Sequence, residues 1–156
     1  MNIATPDDMR AFGQRLAGDL RAGDLVLLSG PLGAGKTTLT QGIVAGLGGT
    51  GPVVSPTFVI ARVYRDGRVP VLHVDAYRIG SIAEIDDLDL DAGTDESVTL
   101  VEWGNGLVEG LASDHLEVRI TRPLGGDMAA DIEPRTVEIV AHGERWAAAS
   151  LAAPAG

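Results

Sequence analysis

The chain has 156 residues, 45% of them hydrophobic, no cysteine, and a formal net charge of −10. That length supports one domain with a real core and is short for two, while the absence of cysteine removes disulfide scaffolds, thiolate zinc sites and cysteine nucleophiles. The negative balance disfavours a chain that holds nucleic acid by itself, since phosphate neutralisation supplies most of that affinity.

Taken in chain order, Thr5-Pro6-Asp7-Asp8 has a hydroxyl cap, a first-turn proline and first-turn carboxylates, which together predict a helix start. Met9, Phe12, Leu16 and Leu20 recur at helical spacing and stop before Gly23. Asp24 to Ser29 reads as a short buried strand running into a glycine loop, and Lys36 to Leu47 as a helix stopped by Gly48-Gly49. Thr57 to Tyr64 and Val69 to Asp75 are strand-like runs on either side of Asp66-Gly67, a hairpin signal that makes them antiparallel neighbours. Ser81 to Glu84 has capping-box spacing and opens a short helix. It leads into Glu84 to Glu96, which holds seven of the 22 acidic residues and no basic one; such a run is most simply a solvated surface.

Ser97 to Glu102 is a second buried strand ending in an acid, followed by a short helix around Asn105 to Leu111. Leu116 to Thr121 and Thr136 to Ala141 alternate apolar and polar residues and predict a last antiparallel pair at the sheet edge. Residues 122–134 connect them, and 147–156 form an Ala-rich tail expected to fray. The expected architecture is a single α/β domain over residues 1–146, of the three-layer P-loop NTPase type, with a mixed parallel and antiparallel sheet. The longest apolar runs are strand-sized, short of the roughly 18–20 residues that span a bilayer. No charged-then-apolar leader precedes the first helix signal, so a cytoplasmic protein without membrane association is expected.

Lys36 is the only lysine in the chain, against eleven arginines. It sits in Gly30-Pro-Leu32-Gly33-Ala34-Gly35-Lys36-Thr37-Thr38, which satisfies the phosphate-loop pattern G-x-x-x-x-G-K-S/T between a strand and a helix. Gly30, Gly33 and Gly35 let backbone amides approach phosphate without a Cβ in the way. The helix start adds unpaired N–H groups and its positive dipole end. Lys36 reaches the phosphate oxygens as a compact ammonium, Thr37 is the Mg²⁺ ligand and Thr38 serves the α-phosphate side. Such a loop works with an acid at a nearby strand end. Asp75 and Glu102 both qualify, one to coordinate metal and the other to orient or activate the attacking water, and the residue types alone do not say which. Thr57, in Ser55-Pro-Thr-Phe58, stands where nucleotide-sensing switches occur. His73 reads as a satisfied sheet histidine rather than a base.

Four blocks then stand in order: the loop through Thr38, Ser55-Pro-Thr-Phe58, His73-Val-Asp-Ala-Tyr-Arg78 and Glu102-Trp-Gly104. The set resembles the TsaE (YjeE) family of small bacterial ATPases over nearly the whole chain. The resemblance implies a role in making the threonylcarbamoyladenosine modification of tRNAs that read codons beginning with A. It further implies ATP and Mg²⁺ as cofactors, and TsaB and TsaD as partners whose cycle is driven by ATP binding and hydrolysis, with tRNA met only through them. It assigns Mg²⁺ to the matches at Thr37 and Glu102, turnover to the strand-end acid Asp75, the switch to Ser55–Phe58, and a nucleotide-side arginine to Arg135. Ala76, where leucine is common, and Gly104 after the tryptophan depart from the pattern without removing a ligand. Two other functions compete. A small-molecule kinase needs an arginine-rich lid, whereas Arg62, Arg65 and Arg68 fall on a hairpin; a GTPase wants an Asn-Lys-x-Asp segment, which a chain with one lysine does not have.

Overall fold

The computed structural model describes residues 2–30, 35–50, 53, 61–75, 96–102, 114–121 and 135–146. Seven strands form one sheet: β1 (Asn2–Ile3), β2 (Leu25–Ser29), β3 (Ala61–Tyr64), β4 (Val71–Asp75), β5 (Val98–Glu102), β6 (His115–Thr121) and β7 (Arg135–His142). Their spatial order is β1-β7-β6-β2-β5-β4-β3. Strands β6, β2, β5 and β4 are mutually parallel and form the centre. The outer pairs β1/β7, β6/β7 and β3/β4 are antiparallel. The expected α/β class with a mixed sheet is therefore what the chain adopts. The helices expected near 81–84 and 105–111, the acidic window up to Asp95, and the tail at 147–156 lie outside the described residues.

Helix α1 (Pro6–Ala17) starts as its sequence predicts: Thr5 is the N-cap, in extended conformation, and its hydroxyl accepts from the Asp8 N–H at 3.1 Å. The helix stops at Ala17, one turn before the expected end, yet Leu20 is still buried in the core. Arg68 accounts for part of this ending. Its Nη2 donates to the carbonyls of Ala17 and Leu20 at 2.8 and 3.1 Å, satisfying acceptors that a helix end leaves open.

Helix α2 (Lys36–Gly46) ends against Gly48, whose φ of +95° suits glycine. The two helices lie across one face of the sheet. Met9, Phe12, Leu16, Leu39, Ile43, Val44 and Leu47 join Val26, Leu28, Val98, Leu100, Leu116, Val118 and Ile120 in one buried cluster. Their alternation on the strands puts these sheet residues on a single face. Leu25, Leu27, Leu72, Val74 and Val101 point the other way and are buried as well, so the central strands are apolar on both faces, as parallel sheets are.

Three features go beyond the sequence reading. The antiparallel hairpin β3/β4 is present as expected, with its connection running from residue 65 to 70. Asp66 is drawn aside: its Oδ2 accepts from the Thr50 N–H and hydroxyl at 2.7 and 3.0 Å. Gly67 lies against Leu47, where an added Cβ would stand 2.6 Å from the carbonyl oxygen. The loop thus docks on the end of α2. Second, the antiparallel β6/β7 pair is present as expected, but β7 is not the last strand, since the two-residue β1 pairs with Arg135 and Thr136. Third, Glu144–Trp146 forms a short 3-10 helix that the sequence did not announce. Arg145 anchors it, pairing with the buried Asp24 through Nε–Oδ1 at 3.0 Å and Nη2–Oδ2 at 2.9 Å and stacking over Trp146.

Candidate active site

The parallel centre of the sheet decides where the chemistry converges. Strand β2 ends at Ser29, so Gly30 leaves the sheet at its carboxyl edge and α2 returns from the loop at Lys36. Strands β5 and β4 end at that same edge, with Glu102 and Asp75 as their last residues in direct register with one another. Glu102 is also in register with Leu28 on β2, two residues before Gly30. The order across the edge is therefore loop strand, Glu102, Asp75, at about 4.8 Å per strand. Glu102 is the acid beside the loop and Asp75 lies one strand further out. Ligands of open α/β sheets bind at this edge.

At the helix start, Gly35 is the N-cap with φ +115°, and no side chain caps the first turn. That φ is costly for any residue with a Cβ, and the N–H groups of the first turn have no intrahelical acceptor. Lys36 is buried, 6% exposed. Its Nζ donates to the Gly30 carbonyl at 2.6 Å, holding the ammonium across the mouth of its own loop. Thr37 and Thr38 are half-buried in the first turn. Thr40 plays no such part, since its hydroxyl donates back to the Lys36 carbonyl at 2.9 Å. Helix α1 supports the loop from behind: Met9 Cε stands 3.4 Å from where a Gly35 Cβ would be.

Glu102 is 4% exposed, and its Oε1 lies 3.0 Å from Nε2 of His73, itself fully buried. His73 stands opposite Leu100, so His73, Leu100 and Glu102 share the sheet face covered by α2. The description of His73 as a satisfied histidine is not borne out, because Nδ1 is buried without a hydrogen-bond partner. Sequence reasoning had the signal for the contact, as residues at i and i+2 share a face and β4 neighbours β5; it lacked the register.

Arg135 opens β7 in register with Ile3, at the same edge of the sheet as the end of β6. It is two strand spacings from β2, roughly 10 Å. Arg119, in register with Ser29, is held by Glu117 through bonds of 2.8 and 3.1 Å. The hydrogen bond from Glu117 raises the pKa of this already cationic group. Leu32, Gly33, Ala34, Thr57 and the rest of Ser55–Phe58, together with Ala76, Arg78, Trp103 and Gly104, lie outside the described residues.

The donor set fits a divalent cation held with a polyphosphate. A buried carboxylate with one hydrogen-bond partner is poorly compensated for the loss of water, and a cation supplies what is missing. Among the described residues no group of three or more His, Cys, Asp or Glu side chains stands ready to hold a metal alone. Mg²⁺ does not require such a cluster, since it takes one or two protein oxygens and completes its shell with water and phosphate. Among the described residues, too, no helix is long and apolar enough to cross a membrane.

Comparison with known proteins gives the family. The family described as threonylcarbamoyl adenosine biosynthesis protein TsaE matches residues 3–127. The chain is 55% identical to the tRNA threonylcarbamoyladenosine biosynthesis protein TsaE of Streptomyces coelicolor over 152 residues, covering 95% of this chain and 100% of the relative. It is 39% identical to the protein of the same name from Bacillus subtilis, over 90% of this chain and 84% of that one. The crystal structure of Bacillus subtilis YdiB superposes with a TM-score of 0.74 at 33% identity, covering 94% and 86% of the two chains. The chain belongs to the TsaE family.

Proposed function

We propose that this protein is a Mg²⁺-dependent ATPase that powers the TsaB–TsaD complex in forming threonylcarbamoyladenosine on tRNA. The observation that carries the reading is the meeting of the Gly30–Lys36 loop, the buried Glu102 and the end of β4 at one sheet edge. Its acidic character, with a formal net charge of −10, suits a protein that leaves tRNA contact to its partners. In this reading the protein works in the cytoplasm.

In this reading Lys36 exchanges the Gly30 carbonyl for phosphate oxygens, and the first-turn amides of α2 take the remaining phosphate charge. Thr37 and Glu102 would hold Mg²⁺, which would supply positive charge to offset that of the phosphates. Asp75, further from the loop, accepts a hydrogen bond from the attacking water and orients it. Thr57 senses the terminal phosphate, Thr38 serves the α-phosphate side, and Arg135 contributes from the outer part of the same edge. Catalysis in such a site rests on positioning and on charge stabilisation rather than on covalent chemistry. The kinase alternative loses one of its lid arginines, since Arg68 is committed to the end of α1.

The test is ATP turnover by the purified chain, alone and with TsaB and TsaD. Slow hydrolysis that changes when the partners are added is expected. Efficient transfer of phosphate to a small acceptor without them would overturn the proposal.

A further inference from the structure

We propose that His73 is a positioning residue for Glu102, setting the orientation in which that carboxylate meets the metal; this rests on the reading of Glu102 as a Mg²⁺ ligand. His73 is fully buried on the face of the sheet that α2 covers. At such a site a valine or leucine packs without a polar group to satisfy, so stability alone favours an aliphatic side chain. The imidazole instead makes one bond, Nε2 to Glu102 Oε1 at 3.0 Å, and leaves Nδ1 buried with no partner. With the proton on Nε2, the bond is N–H to carboxylate and Nδ1 keeps a bare lone pair; the reverse arrangement strands a buried N–H, the costlier orphan.

Among the described residues His73 is the one hydrogen-bond partner of Glu102, and it holds the rotation of the carboxylate through Oε1. The bond crosses from β4 to β5, the strands that end in Asp75 and Glu102 in register, so it also ties the two acids to one frame. Outer partners of this kind orient ligating carboxylates and are worth about 10- to 100-fold in metal affinity.

The experiment titrates Mg²⁺ into the full chain with a fluorescent, non-hydrolysable ATP analogue, following analogue binding in wild type, Glu102→Gln, His73→Met and His73→Gln. His73→Met is expected to raise the Mg²⁺ midpoint about 10- to 100-fold while leaving Mg²⁺-free analogue affinity unchanged. His73→Gln, whose amide N–H reaches about as far as Nε2–H, is expected to restore most of the loss. A wild-type midpoint retained in His73→Met, a His73→Gln as impaired as His73→Met, or an equal loss of Mg²⁺-free affinity would each overturn the proposal. Binding that ignores Mg²⁺ in wild type, or that Glu102→Gln leaves untouched, would instead remove the Glu102 reading and this proposal with it. If His73→Met does not fold, ¹⁵N NMR of the wild-type histidine decides: protonation at Nε2 is expected, and protonation at Nδ1 refutes the bond to Glu102.

Discussion

Gly42→Ala in α2 tests how the loop helix is seated. An ideal Cβ at Gly42 lies 2.3 Å from the Arg10 carbonyl oxygen and 2.8 Å from its Cα, where ordinary contact begins near 3.4 Å. The same crossing is tight from the other side, a Cβ at Gly13 standing 2.6 Å from the Leu39 carbonyl oxygen. Both obstacles are backbone, which no rotamer change relieves, so α1 must retreat by about 1 Å. Alanine is the better helix former by about 1 kcal/mol, and with room available the change would stabilise. Overpacking costs about 1–3 kcal/mol, and a backbone clash belongs at the upper end, for a net loss of about 2 kcal/mol. For a chain of this size that lowers Tm by about 4–8 °C. Gly18→Ala is the control, since among the described residues its Cβ meets only the Arg15 carbonyl oxygen at 3.2 Å and its φ of −61° is right-handed; it should change stability by less than about 0.5 kcal/mol. Urea and thermal unfolding of both variants give the comparison. A Gly42→Ala protein as stable as wild type, or a Gly18→Ala protein equally damaged, would refute the packing of α1 on α2.

Three further outcomes are expected. Asp75→Ala should bind ATP with near wild-type affinity and lose hydrolysis, measured by equilibrium binding and phosphate release; retained turnover reassigns the water-orienting role. Gly35→Ala, at φ +115° with Met9 Cε 3.4 Å from the added Cβ, should cost about 1–3 kcal/mol in backbone strain and weaken ATP binding, and an unaltered melting curve would contradict the left-handed N-cap. Arg145→Ala leaves the carboxylate of Asp24, 7% exposed, without its ion partner and should destabilise by about 3 kcal/mol; a neutral result in urea unfolding would show that the 3-10 segment is not anchored there.

Local signals carried the loop and the elements that frame it, because their causes are local. The Thr5 cap, the glycines before Lys36 and the apolar run of β2 each act within a few residues. The two strand-end acids were legible for the same reason. What sequence could not supply was register and strand order. Glu102 lies beside the loop because β5 lies beside β2, and no residue of either strand announces that pairing. The same gap hid the His73–Glu102 bond and the pairing of the short β1 with β7. The Asp66-Gly67 signal foretold the hairpin but not the docking of its loop on α2, since Thr50 and Leu47, which hold it, are distant in sequence.

The most direct measurement is ATP binding and hydrolysis by wild type and Lys36→Ala in the presence of Mg²⁺. Removing the one ammonium that reaches across the loop forfeits a charge-assisted interaction, about tenfold or more in affinity. The variant is expected to fold, to bind ATP correspondingly weakly, and to hydrolyse none. Wild-type binding and turnover by Lys36→Ala would contradict the assignment of this edge of the sheet as the ATP site.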